Sequence, residues 1–582
     1  MINFIRTICL IVFFQIISVT CLAKNHIEIS GVEGKIKQNI VIYLDSDDLE
    51  CSASEAIKNA FVAAIPKKVA KATRPFGYYK PQIEIKNKIK ADPDKNNCLS
   101  INVNVELGQA IIIRGLDLLI LDHGNPNKIF ENTIKNSGLI KGGILAQSDY
   151  EDLKLALVEQ ASEMGYLDAK YTKNQIDIFP ENFVADISLH LDTGSQYQVE
   201  QIEIHQTPEF LDQRFIENMI ALKANEYFSK SELYEIRKKL VSTGYFDQVS
   251  VNIDYSKRHD NKVPITIVVT PSDRIRYSAG VGFSTDTGAR VSVDYKHLRL
   301  SDFGYQFNSK LSLSEVISEF STGIKIPSKS RALNKWSNFD VGYRVERSDN
   351  VSSDTSKLGF SQTRIHENKW QNINYIDLVN ERFDTGDNHN ESTLLVPGTS
   401  WSYINTDNPV LPKHGFKIGA ELKGASHNIL SDSSFLQLGV NFKAVTSVGE
   451  HQRFIVRTEL GTTYTNNLEG LPSSYRFFAG GDKSIRGFSY QELGPVNSQG
   501  DVIGAKHLAV ASLEYEYRIA GAWAGAVFTD VGNAFNSAFK LEKSVGVGVR
   551  WFSPIGPVRF DLGFPINDER DFKIHITLGP DL

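Results

Sequence analysis

Arg486 stands in a glycine-rich stretch, Phe477–Phe478–Ala479–Gly480–Gly481–Asp482–Lys483–Ser484–Ile485–Arg486–Gly487–Phe488, between segments that alternate apolar and polar residues. A guanidinium is always charged and presents a planar fork of donors that fits a carboxylate. Away from bulk water it needs such a partner, because an unpaired buried charge is costly. The following segments supply candidates. In Leu508–Ile519, Glu514, Glu516 and Arg518 fall on the face opposite Ala509, Ala511, Leu513, Tyr515 and Tyr517. In Ala522–Asp530, Phe528 and Asp530 fall opposite Trp523 and Val527, and Gly532 follows. A loop folded among these segments lets Arg486 reach Asp530, Glu514 or both. The chemistry on offer is anchoring by charge-assisted hydrogen bonds, with Gly480, Gly481 and Gly487 allowing close approach. The other reading is a surface loop with a solvated arginine, and the residues alone leave both open.

Nothing in the chain reads as a catalytic set. There is no Gly-x-Ser-x-Gly, no phosphate-binding loop and no His-Glu-x-x-His. No enzyme activity, cofactor or metal site is expected, since no Cys/His cluster has ligand spacing. With 63 Lys+Arg against 69 Asp+Glu the net charge is −6, which gives no reason to expect nucleic-acid binding.

Residues 1–23 read as an export signal: Arg6 is the positive element, Ile8–Phe14 opens an apolar run, and Cys21–Leu22–Ala23 offers a cleavage site. An N-terminal anchor and a lipoprotein cysteine at Cys21 are the alternatives. Gln15 and Ser18 interrupt the run, and Ser18–Val19–Thr20 fits the lipoprotein pattern poorly. No later run approaches the roughly 18 apolar residues of a helical span. Membrane insertion would therefore require a closed barrel. Of the 4 cysteines, Cys51 and Cys98 lie beyond the signal. In an exported chain they are expected to form a disulfide, the alternative being two buried thiols.

A repeat organises residues 24–272. Phe76–Gly77–Tyr78, Met164–Gly165–Tyr166 and Thr243–Gly244–Tyr245 each close a helical pattern and lead into an alternating segment. Glycine just past a helix end is favoured because it takes φ > 0 without strain. Each unit opens with a strand as well: Ile27–Ile29, Ala110–Ile113 and Val199–Ile204. The reading is α+β: three tandem β-α-α-β-β modules at 24–107, 108–194 and 195–272. The repeat resembles the POTRA domain, a module found ahead of outer-membrane barrels. That resemblance implies sheets whose edges accept an added peptide strand, although a passive spacer is the alternative.

Period-two alternation dominates residues 273–582. Tyr277, Ala279, Val281 and Phe283 oppose Ser278, Gly280 and Gly282; Val545, Val547, Val549 and Trp551 oppose Gly546, Gly548 and Arg550; Val558, Phe560, Leu562 and Phe564 oppose Arg559, Asp561 and Gly563; Ile574, Ile576 and Leu578 oppose Lys573, His575 and Thr577. A soluble β-sandwich shows similar stripes. After an export signal, the expectation is a transmembrane antiparallel β-barrel of about 16 strands at roughly 19 residues per strand and turn.

With these residues in hand the chain resembles the outer-membrane assembly superfamily that includes BamA and TamA. The resemblance rests on Ile485–Arg486–Gly487–Phe488, Phe528–Thr529–Asp530–Val531–Gly532, Pro412–Lys413–His414–Gly415 and Ser553–Pro554–Ile555–Gly556–Pro557. It implies a lock between an inserted loop and the barrel wall formed by Arg486, Gly487, Phe488, Glu514, Phe528, Asp530 and Gly532. It also implies a lateral seam at Gly280, Gly282, Phe283, Ile576 and Gly579, where first and last strands close the barrel weakly. Three modules, Arg476–Gly481, Gly280–Asp286 and the ending Leu578–Leu582 point to the TamA branch; the chain lacks the terminal phenylalanine of many such barrels. The implied role is insertion of autotransporters and other outer-membrane proteins from the unfolded state. It would act by strand templating and local thinning of membrane lipids, with a TamB-like inner-membrane-anchored partner. A two-partner secretion pore, phospholipid transport with that partner, and a passive porin are the competing expectations. The outer membrane, with the modules in the periplasm, is the expected location.

Overall fold

A computed structural model describes residues 24–45, 54–88, 97–122, 128–220, 222–329, 333–385, 388–553, 556–566 and 571–579. The export-signal reading at 1–23 lies outside them. So does the expected Cys51–Cys98 disulfide, since Cys51 and the side chain of Cys98 are not described. The chain divides into two compact units, and the division passes through the third module.

The first unit holds two complete modules. In the first, β1 (Lys24–Ser30), α1 (Gly34–Asp45), α2 (Glu55–Thr73), β2 (Gln82–Lys88) and β3 (Asn97–Glu106) follow one another. The last strand is central, parallel to β1 and antiparallel to β2. Parallel neighbours need a crossover, which the helices provide. Ile40 and Leu44 of α1 and Ile65 and Val69 of α2 pack with Ile101, Val103 and Val105 of β3. The second module repeats the pattern with β4 (Ile112–Asp122), α3 (Lys128–Lys135), α4 (Gln147–Glu163), β5 (Lys170–Phe179) and β6 (Val184–Gly194), in sheet order β4-β6-β5. Leu153 and Leu157 of α4 are core residues, while Leu155 points to solvent.

The third module has β7 (Gln198–Gln206), α5 (Gln213–Glu217), α6 (Lys230–Ser242), β8 (Phe246–Ile253) and β9 (Lys262–Pro271), in sheet order β7-β9-β8. Gly77, Gly165 and Gly244 have φ of +87°, +83° and +77°, the left-handed conformation that ends each helical segment.

The second unit contains a 16-stranded antiparallel sheet running from β10 (Ile275–Ser284) to β25 (Lys573–Leu578), each strand paired with its sequence neighbour. Alternation fixes the faces: Val281, Leu358, Leu436, Leu513, Val527 and Val547 are exposed outward, as lipid-facing residues must be. Trp523 and Trp551 lie side by side near strand ends, their rings tilted by 31° with centroids 6.3 Å apart. Among the described residues no helix is long and apolar enough to cross a membrane.

The barrel is nearly closed. β10 and β25 are adjacent, yet among the described residues they share no β-ladder. Among the described residues one direct hydrogen bond joins the two sides, from the Ile576 N–H to Oγ1 of Thr285, just past the end of β10, at 3.3 Å. The resemblance implied weak closure between these two strands. β25 has 6 residues against the 10 of β10, too short to satisfy its partner's edge.

Candidate functional site

The loop between β20 (Gln452–Thr465) and β21 (His507–Ala520) enters the barrel, and Arg486 is 5% exposed there. Its Nε and Nη2 donate to the two oxygens of Asp530 on β22 (Trp523–Phe535), at 2.8 and 3.0 Å. Its backbone N–H donates to the same carboxylate at 2.9 Å. Nη1 donates to Glu514 at 2.6 Å and to Asp561 at 3.2 Å, and Nη2 donates to Ser512 at 3.2 Å. The guanidinium carbon lies 3.4 Å from the Phe528 ring centroid, so Phe528 covers the face of the fork. Every donor direction has a partner, the condition under which a buried charge is tolerated.

The cluster extends further along the wall. Arg550, fully buried on β23 (Glu542–Ser553), donates to Glu514 at 2.6 Å, to Glu516 at 3.1 Å and to Asp561 at 2.6 Å. Arg453 donates to Glu516 at 2.7 Å, and Arg457 donates to the Ser484 carbonyl at 2.7 Å. Arg453, Arg457, Arg486 and Arg550 thus balance Glu514, Glu516, Asp530 and Asp561. Alternation had placed Glu516, Arg550 and Asp561 on the lumenal face; that β21, β22, β23 and β24 (Gly556–Pro565) bring them to one point depends on register.

Backbone contact seats the loop. A Cβ on Gly487 would meet Ser544 Cβ at 3.2 Å and the backbone of Gly563 and Pro565 at 3.3 Å. A Cβ on Gly563 would meet the Gly487 nitrogen at 2.5 Å. Two glycines facing each other let loop and strand touch directly. Gly563 was not among the expected lock residues, although its place on the lumenal face was readable. Phe488 is fully buried in an apolar cluster with Ala479, Ile485, Leu493, Leu508 and Val510. Gly532 pairs with Val510 at φ +146°, where a Cβ would strike the Ala509 carbonyl.

The loop is also tied to the far wall, which the sequence did not announce. Glu381 of β16 (Gln371–Thr385) is fully buried and accepts from Ser473 Oγ at 2.6 Å, from the Ser474 N–H at 3.2 Å and from the Ser474 hydroxyl. Glu346 of β14 (Lys335–Arg347) accepts from Gln491 Nε2 at 2.9 Å.

The residues expected at the seam fall as follows. Gly280 and Gly282 pair with Ser292 and Arg290, and their missing side chains leave room for those two. Phe283 is 48% exposed beside the β10 edge. Ile576 donates across the seam to Thr285, and Gly579 follows the last strand with its N–H directed to the Pro557 carbonyl at 3.3 Å.

Tandem β-α-α-β-β modules ahead of a 16-stranded barrel, with an arginine loop locked inside it, define a class of outer-membrane β-barrel proteins. The chain belongs to that class: residues 239–579 match the Omp85 superfamily domain, so it is a member of the Omp85 superfamily. Residues 26–107 match the family described as POTRA domain TamA domain 1, and residues 197–272 match POTRA, surface antigen variable number repeat. The chain is similar to the outer membrane protein assembly factor BamA of Nitratidesulfovibrio vulgaris, 25% identical over 393 residues covering 60% of this chain and 46% of that one. It is similar to BamA of Neisseria meningitidis serogroup B, 21% identical over 503 residues covering 73% and 61%. The match thus spans about half the length of these curated relatives. Among solved structures, BamA of Haemophilus ducreyi lacking POTRA domains 1–3 superposes with a TM-score of 0.65 at 16% identity, covering 81% of this chain and 99% of that one, a likeness of fold. The chain is an outer-membrane protein with N-terminal POTRA domains.

Proposed function

We propose that the chain assists the insertion of other outer-membrane β-barrel proteins, acting without a catalysed reaction. The observation that carries this reading is the seam: β10 and β25 lie side by side, and among the described residues no ladder joins them, only the bond from Ile576 to Thr285 at the end of β10. Strand edges left unpaired template an incoming strand, which in turn shields its own backbone from lipid. The relatives named as assembly factors support the same role. A first module matching the TamA description supports the TamA branch, with autotransporters among the clients and a TamB-like partner meeting the POTRA domains in the periplasm. Loop anchors on opposite walls of the barrel weigh against a passive porin.

The test is deletion of the gene, followed by measurement of autotransporter display at the cell surface and of release of a secreted two-partner substrate. Assembly predicts a loss of display with release unchanged; the reverse outcome assigns the chain to secretion. Phospholipid transport with the same partner is tested in the same strain by the lipid balance of the two membranes.

A further inference from the structure

The strands on either side of the seam barely touch each other, but both touch the tip of the inserted loop. On the β10 side, Ser284 Oγ donates to Asp482 at 2.6 Å, and the Asp482 N–H donates to Asp286 at 2.7 Å. On the β25 side, the Gly487 N–H donates to His575 Nε2 at 3.0 Å. An Nε2 that accepts leaves the ring proton on Nδ1. That nitrogen lies 3.9 Å from Asp286 Oδ1 and has no hydrogen-bond partner of its own, while His575 is 3% exposed. Asp286, Asp482, Gly487 and His575 therefore form a ring across the seam. The tip is itself fixed to the continuous wall by Arg486 and by the Gly487–Gly563 contact.

We propose that this loop tip is the clasp of the seam: Asp482 grips the end of β10 through Ser284 and Asp286, Gly487 grips β25 through His575, and the edges part only when the tip lets go. Asp286 and His575 are positioning residues, acting on strand placement through the loop. The neighbouring bond from Ile576 to Thr285, at 3.3 Å, is too slight to hold the edges alone, since most of the gain from one hydrogen bond is offset by the water bonds it replaces. Loop withdrawal and seam opening then become one event, so any ligand or client that lifts the loop also exposes the β10 edge. What opening is for rests on the assembly reading; closure is measured with no client present.

The experiment places a photo-reactive benzoylphenylalanine at Val281, an outward position on β10 that is 83% exposed. The full chain, reconstituted in phospholipid nanodiscs, is irradiated, and the cross-link to residues 573–579 is quantified by peptide mapping. His575→Ala and Asp482→Ala should each lower that cross-link at least three-fold. His575→Gln, whose amide oxygen can take the Nε2 role, should restore most of it. Lys357→Gln, which breaks a lumenal pair with Asp377 (2.6 Å) away from the loop tip, should not change it. Heat-dependent gel mobility identifies folded barrels, and Ser284→Ala replaces any variant that does not fold. Unchanged cross-linking in both the His575 and the β10-side variants overturns the clasp, as does an equal fall in Lys357→Gln. A lowered cross-link with client insertion unaltered keeps the clasp and removes the assembly reading instead.

Discussion

Arg486 is satisfied by three carboxylates, but those carboxylates are not satisfied by Arg486 alone. Arg550 also holds Glu514 and Asp561, whereas Asp530 relies on Arg486 and on the Ser512 hydroxyl. Removing one partner of a buried pair costs about 3–5 kcal/mol, largely through the charge left behind. Arg486→Ala should therefore unseat the loop and lower barrel stability by about that amount, read as protease cleavage within 466–506 and an earlier denaturation midpoint. Reversing Arg486 and Asp530 together should recover little, because Glu514 and Asp561 would then face a carboxylate. Asp286 behaves differently. Burial, with Asp482 beside it, pushes its carboxyl up from 3.8 to about 8 in the seated loop, against a smaller lowering by Lys483. The seated state thus retains a proton that the released state gives up. Seating is favoured at low pH, weakens as pH rises from about 4 to about 8, and changes no further above that range. Asp482, Lys483, Arg290 and Tyr490 line the same pocket as Asp286, and His575 lies 3.9 Å from it. The difference between the wild type and Asp286→Asn in a pH series of loop protection isolates its share. Equal pH profiles would refute the assignment.

At the scale of elements, the loop is held by shape as much as by charge. Gly563 sits where β24 meets the Gly487 backbone, so Gly563→Val should displace the loop, Arg486 with it, although no arginine or carboxylate of the cluster is substituted. Protease sensitivity like that of Arg486→Ala is the expected outcome; an intact, protected loop would show that charge alone seats it. The same elements show what a sequence can reveal. Alternation gave the lumenal faces of β21 to β25, and with them Glu514, Asp530, Asp561 and His575, because side-chain direction has a period of two in any strand. The β-α-α-β-β repeat was readable because each glycine after a helix must take positive φ. Contacts across the barrel were not readable. Glu381 meeting Ser473, or His575 meeting Gly487, depends on curvature that brings strands distant in sequence around one lumen. The last strand was readable as a strand from alternation, whereas weak closure was implied only by the resemblance, since pairing between first and last strands depends on closure of the whole sheet.

For the whole molecule, the loop's ties to opposite walls bear on what can pass through the barrel. Between β20 and β21 the chain is held at Glu381 on β16, at Glu346 on β14, at Asp530 on β22 and at Asp286 beside β10. A segment pinned at so many points around the circumference obstructs the lumen, and releasing a single anchor unseats the part of the loop beside it while the remaining anchors keep the rest inside. Single-channel recording in planar bilayers should therefore find the intact barrel mostly closed, with at most brief small openings. Replacing residues 470–503 by a short glycine-serine link should convert it to a steady, large conductance, since a barrel of 16 strands is wide enough for an aqueous channel when unobstructed. Arg486→Ala should fall between the two, with flickering openings, because the far-wall anchors at Glu381 and Glu346 persist. A steady large conductance from the intact protein would refute the plug and with it the argument that cargo takes the lateral seam rather than the lumen.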